Sequence, residues 1–104
     1  MATLNSKLTH VTGDGTKKPI GSISSSQGKI SEIIISNTTN TGTDKTTTYK
    51  IFVDNDYPIT PSTKLLENEV HIIPMSTFIN NSNVVNIEVP SGKTVDTVVS
   101  VIEL

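Results

Sequence analysis

Thr46 to Asp54 reads Thr-Thr-Thr-Tyr-Lys-Ile-Phe-Val-Asp. Thr47, Tyr49, Ile51 and Val53 fall on one side of a period of two. Thr46, Thr48, Lys50 and Asp54 fall on the other, with Phe52 the exception. Successive side chains of a strand point to opposite faces, so this is the pattern of a half-buried strand and not of a helix. The same period organises Lys29–Asn37, with Ile33 and Ile35 on one face and Glu32, Ile34 and Ser36 on the other. It also organises Val84–Val89, with Val85, Ile87 and Val89 inward. Ile, Val and Thr are abundant, and their branched Cβ is stiff at χ1, which suits a pleated strand better than a helix.

The rest of the chain fits the same reading. Ser6–Thr12 alternates around Leu8 and Val11 and stops at the turn signal Gly13-Asp14-Gly15. Thr16–Gln27 reads as a loop with one short edge strand, with Ile20 and Ile23 as its core contacts. Thr38–Lys45 is a polar, Thr-rich loop with nothing to bury, and is expected to project into solvent and make variable contacts. Leu65 and Leu66 are expected core plugs, and Val70–Met75 is a strand in which Pro74 predicts an edge or a bulge. Val95–Leu104 is the last strand. Val95, Val99 and Val101 share one of its faces, and Val98, Ile102 and Leu104 the other. A strand apolar on both faces is either covered twice or part of a subunit interface. Ile34 and Phe52 break the polar alternation in the same way. Ile34, Phe52, Val98, Ile102 and Leu104 are therefore the candidate interface residues. The predicted fold is all-β: a single antiparallel β-sandwich, Ig-like or jelly-roll-like, of about seven or eight short strands. It spans residues 1–104, with 1–25 as an extended N-terminal arm.

Charge and composition exclude several function classes. The chain has 8 basic and 10 acidic residues, and every basic one is Lys. Without Arg, the usual fork for phosphate and base edges is missing, so no nucleic-acid partner is expected. No basic amphipathic helix is present, and the longest aliphatic run, Ile33-Ile34-Ile35, cannot span a bilayer, so no membrane partner is expected. The chain has no Cys, which rules out a disulfide framework and thiolate metal ligation. Its first residues lack an apolar run behind a basic start, so synthesis in a cytosol is expected.

No motif survives as catalytic chemistry. Gly92-Lys93-Thr94 is the tripeptide that closes a phosphate-binding loop. That loop needs a Gly at position 87 and a helix afterwards, whereas Ile87 and a second strand are found. A hairpin corner fits instead, with Pro90 at the second position of a type I turn and Gly92 at the fourth, followed by a bulge. Asp54-Asn55-Asp56 begins like a calcium loop, but Pro58, Ile59 and Leu65 occupy positions where that loop needs a ligand, Gly and Glu. A looser calcium site there, built on backbone oxygens, is the remaining alternative to a polar turn. His10 and His71 lie on separate strands without a carboxylate at a useful spacing, and Glu67 and Glu69 read as solvated surface. No Gly-x-Ser-x-Gly elbow exists. Asn37-Thr38-Thr39 and Asn80-Asn81-Ser82 match the glycosylation sequon by chance. No enzyme activity, cofactor or metal is expected.

From Lys29 onward the chain resembles small β-sandwich virion proteins encoded by tailed bacteriophages. The resemblance rests on Gly28–Asn37, on Tyr49-Lys50-Ile51-Phe52-Val53-Asp54 with Tyr57-Pro58-Ile59, on Pro90–Val95, and on the terminal Val101-Ile102-Glu103-Leu104. Such proteins often carry Gly in the turn after the middle strand, where this chain has Asp54-Asn55-Asp56, and the first 25 residues do not match. The resemblance implies an accessory part of a virion, assembled in the host cytoplasm. It would decorate the capsid as a symmetric oligomer, with copies of itself and the major capsid protein as partners. A neck or tail accessory protein, or an adhesin-like module for a host-surface ligand, is the alternative.

Overall fold

The computed structural model describes residues 2–104. Nine strands follow one another: β1 (Thr3–Thr12), β2 (Lys17–Gly21), β3 (Gly28–Ser36), β4 (Thr47–Val53), β5 (Tyr57–Pro58), β6 (Thr63–Leu65), β7 (Val70–Ile79), β8 (Val85–Glu88) and β9 (Thr94–Glu103). No helix occurs among the described residues. One sheet has the order β1-β9-β3-β7, the other β2-β8-β4-β5, and β6 also pairs with β4. All pairings are antiparallel. The chain is one long hairpin rolled up, so that β1 meets β9, β2 meets β8, β3 meets β7 and β4 meets β5. That winding is a jelly roll, which decides between the two sandwich types that the turn spacing left open.

The strand count exceeds seven or eight because β5 and β6 are two short pieces along one side of β4. They pair with Phe52–Val53 and with Thr47–Tyr49 respectively. The first 25 residues are not a detached arm. Thr3–Thr12 pairs with Thr94–Glu103 residue for residue, and Lys17–Gly21 pairs with β8. β7 runs past Met75 to Ile79, because a bulge beside Pro74 lets the strand resume its ladder at Thr77.

The core lies between the sheets. Ile33 and Ile35 of β3, Ile51 of β4, Ile87 of β8 and Val99 of β9 are sealed from solvent, as the alternation requires. Ile20 and Ile23 join them. Leu65 is buried, whereas its neighbour Leu66 is exposed, since only one of two adjacent residues in an extended segment can face inward. Truncating a sealed residue such as Ile51 to Ala costs about 2–5 kcal/mol. The accessible surface is 5662 Å², against about 5,700 Å² for a compact monomer of this size. The single chain therefore closes its own core, and apolar surface left outside is surplus to folding.

Two polar corners tie the ends of the sandwich. Asn37 is buried. Its Nδ2 donates to the carbonyls of Lys45 (2.8 Å), Leu65 (3.1 Å) and Leu66 (3.1 Å), and its Oδ1 accepts from Asn40. The Thr-rich loop therefore does not simply project. Asn40 exchanges hydrogen bonds with the backbone of Thr94, and Lys93 Nζ donates to the Asp44 carbonyl at 2.6 Å. At the other end Glu103 Oε1 accepts from the amides of Ser24 (2.7 Å) and Ser25 (3.0 Å). Those amides pull its carboxyl down to about 2.

Candidate interaction surface

The outer face of the four-stranded sheet carries one apolar row and a second that is apolar except for Lys29. Leu8 pairs with Val98, Val98 with Ile34, and Ile34 with Ile72, so one row crosses all four strands. Leu4, Ile102, Lys29 and Phe78 form the second, in the same way. Between them lie Ser6, Ser100, Glu32 and Pro74. The inner-face neighbours Ile33, Ile35 and Val99 are buried, while Leu8 is 71% exposed, Ile72 61% and Phe78 66%. Neighbouring strands are about 4.8 Å apart and four residues span about 13 Å, so the patch covers on the order of a few hundred Å². Ser6, Ser100, Glu32 and Lys29 interrupt the apolar residues of this face, which is therefore mixed, with its apolar side chains concentrated in the Leu8–Val98–Ile34–Ile72 row.

The five interface candidates separate on this geometry. Ile34, Val98 and Ile102 lie in the two rows, and Leu104 is exposed just beyond the end of β9. Phe52 is elsewhere. It belongs to the other sheet and is buried beneath two ammonium groups, Lys17 at 4.5 Å and Lys50 at 5.3 Å from its ring. Its break in the alternation is absorbed within the chain by this cation–π cover. Leu4, Leu8, Ile72 and Phe78 complete the patch but do not stand out in the sequence. Leu8 and Ile72 sit in segments whose outward face is visible only once their register with β9 and β3 is known.

Both histidines have carboxylate partners, contrary to the expectation from spacing. His10 Nδ1 lies 2.7 Å from Asp96 across the β1–β9 ladder. His71 Nε2 lies 3.0 Å from Glu69, and its Nδ1 2.7 Å from the Tyr49 hydroxyl. Glu69 lies just ahead of β7 and two residues from His71, close enough in sequence for the two side chains to meet. The Tyr49–His71–Glu69 chain has the connectivity of an activated nucleophile, but Tyr49 is buried, and that burial pushes its phenol pKa up. The arrangement clips β7 to β4. Glu69 also accepts from the Leu66 amide, and Glu67 faces Lys45 at 3.4 Å, so neither is a bare solvated carboxylate.

The remaining motifs are turns. Lys93 N donates to Pro90 O at 3.2 Å, and Gly92 has φ +81°. Pro90 is thus the first residue of the turn and Gly92 the third, a type II arrangement and not the type I turn expected. Gly13 N donates to Lys93 O, and a Cβ on Gly13 would collide with Pro90 O, so the two corners close on one another. The Asp54 carboxylate accepts from Asn83 Nδ2 (2.9 Å) and Val84 N (3.0 Å), which commits it to the β7–β8 connection. Among the described residues no group of three or more His, Cys, Asp or Glu could hold a metal ion, and no helix is long and apolar enough to cross a membrane. Asn37 of the first sequon is buried.

The molecule is a jelly-roll sandwich with exposed apolar residues on the outer face of one sheet. No protein-family model matches the chain, and no curated protein matches it.

Proposed function

We propose that this protein is a non-enzymatic structural component of a bacteriophage virion, acting as a symmetric oligomer that decorates or stabilises the capsid. One observation carries the reading: an in-register apolar row, Leu8, Val98, Ile34 and Ile72, flanked by Leu4, Ile102 and Phe78, on the outside of a sandwich whose core is already complete. A surface that folding does not need is explained by assembly. The resemblance of Gly28–Asn37 and Pro90–Val95 to phage virion proteins supports the same reading. So does the jelly roll, by fold-level analogy alone, since capsid domains use it among other functions. The test is co-sedimentation of purified protein with phage particles. Wild type is expected to pellet with the particles and Ile72→Glu to remain in the supernatant; wild type staying in the supernatant overturns the reading.

A second reading has its own observation. Phe78 is exposed beside Gln27 and Asn80 in a shallow recess of about 440 Å³. A ring flanked by amides suits a sugar, which is the adhesin-like alternative. Saturable binding on a glycan array, lost in Phe78→Ala, would favour it over capsid decoration.

A further inference from the structure

The four edges of the two sheets are not alike. β7 is blunted by Pro74 and its adjoining bulge. β2 is five residues long and contains Pro19, and β5 is two residues long. These are the devices that stop a sheet edge from adding strands. β1 has none of them. It is a ten-residue edge strand that matches β9 without a register shift, contains no Pro, and carries one Lys. Residues Thr3 to Leu8 are exposed on both faces. Their outward main-chain groups are unpaired within the chain, because β1 is the end of the sheet.

We propose that β1 pairs antiparallel with β1 of a second copy across a two-fold axis at Ser6, joining two four-stranded sheets into one of eight strands. The occupant follows from the strand itself. Residues directly opposite in an antiparallel pair point to the same face. A two-fold axis perpendicular to the sheet therefore admits only registers centred on a single residue. Centring on Lys7 sets two ammonium groups against each other, which is destabilising. Centring on Leu8 leaves Leu4 opposite Thr12. Centring on Ser6 sets Leu4 opposite the partner's Leu8, Leu8 opposite the partner's Leu4, and Lys7 opposite the partner's Asn5. Both exposed leucines then gain an apolar partner, and the two outer faces become one continuous surface. The seven residues Thr3 to Thr9 on each side would pair, giving roughly six to eight main-chain hydrogen bonds, within the spread around about ten for a specific interface.

This inference rests on the assembly reading only in taking the protein to be an oligomer, and names the edge through which two copies join. The chain has no Cys, so single-Cys variants report one position each. Under mild oxidation Ser6→Cys is expected to form a disulfide dimer, because directly opposed residues bring their Cβ atoms to about 4.5–5.5 Å. Leu8→Cys and His10→Cys are expected to stay uncrosslinked, with their copies about 14 Å and about 27 Å apart along the strands. Light scattering should give a dimer for wild type and a monomer for Asn5→Pro, with circular dichroism confirming that the variant is folded. A wild-type monomer, or Leu8→Cys crosslinking in preference to Ser6→Cys, overturns the proposal. If Asn5→Pro does not fold, the crosslinking pattern alone decides. Particle co-sedimentation is a separate readout, so a failed edge leaves the outer-face reading standing, and the reverse.

Discussion

Ile34 and Val98 lie directly opposite each other across the β3–β9 ladder, on the face turned away from the core. Each sits between fully buried neighbours, Ile33 and Ile35 on one strand and Thr97 and Val99 on the other. Apolar residues at outward positions of the two central strands contribute little to the folded monomer and are available to an assembly.

Substitution on this face should therefore separate folding from assembly. Ile72→Glu should change the unfolding free energy by no more than about 0.5 kcal/mol, since the side chain is already mostly in water. It should abolish particle binding. Denaturant titration beside co-sedimentation checks both, and a large loss of stability would mean that Ile72 belongs to the core.

Gly92 holds a left-handed conformation that Ala adopts only with strain, although its surroundings are open. Gly92→Ala should cost about 1–2 kcal/mol. Lys93→Ala removes one exposed hydrogen bond to the Asp44 carbonyl and should cost well under that. Thermal denaturation of the two variants ranks them, and ATP binding lost in Lys93→Ala would revive the phosphate-loop reading.

Asn37→Ala strips one side-chain amide from three carbonyls, one at the end of β6, one in the turn after it and one at the end of the Thr-rich loop. With the acceptors left partly unsatisfied, the expected loss is about 2–3 kcal/mol. Asn37→Asp should be worse, because it sets a carboxylate against those carbonyls. Urea unfolding midpoints provide the measurement.

The Glu103 carboxyl is held at about 2, against an ordinary value of 4.5, by the Ser25 and Ser24 amides. A lowered folded-state pKa stabilises the fold above the unfolded value and ceases to do so as pH falls through the folded one. Wild type should therefore exceed Glu103→Gln in melting temperature above about pH 4.5. The gap should close between there and pH 2. A gap that stays constant with pH would show that the ionised form is not what binds the Ser24–Ser25 turn.

Tyr49→Phe removes the hydroxyl that meets His71 at 2.7 Å while keeping the ring in the core. A loss of about 1 kcal/mol is expected for one net hydrogen bond, read from the melting transition.

Much of this architecture was written locally. The period of two in Thr46–Asp54 and Val84–Val89 determined the strands and their inward faces, because burial on one side of a pleat demands alternation. Pro90 and Gly92 marked a corner, because few residues tolerate its backbone angles. Ile34, Val98 and Ile102 were already out of place in their strands. Everything that depends on which strand lies beside which was decided only by the tertiary structure. The rolled hairpin brought Leu8, Val98, Ile34 and Ile72 into one row, from segments far apart in sequence. It gave His10 its Asp96, covered Phe52 with Lys17, and left β1 as the one long, unblunted edge. Alternation specifies a face, whereas register and neighbours follow from the packing of all nine strands at once.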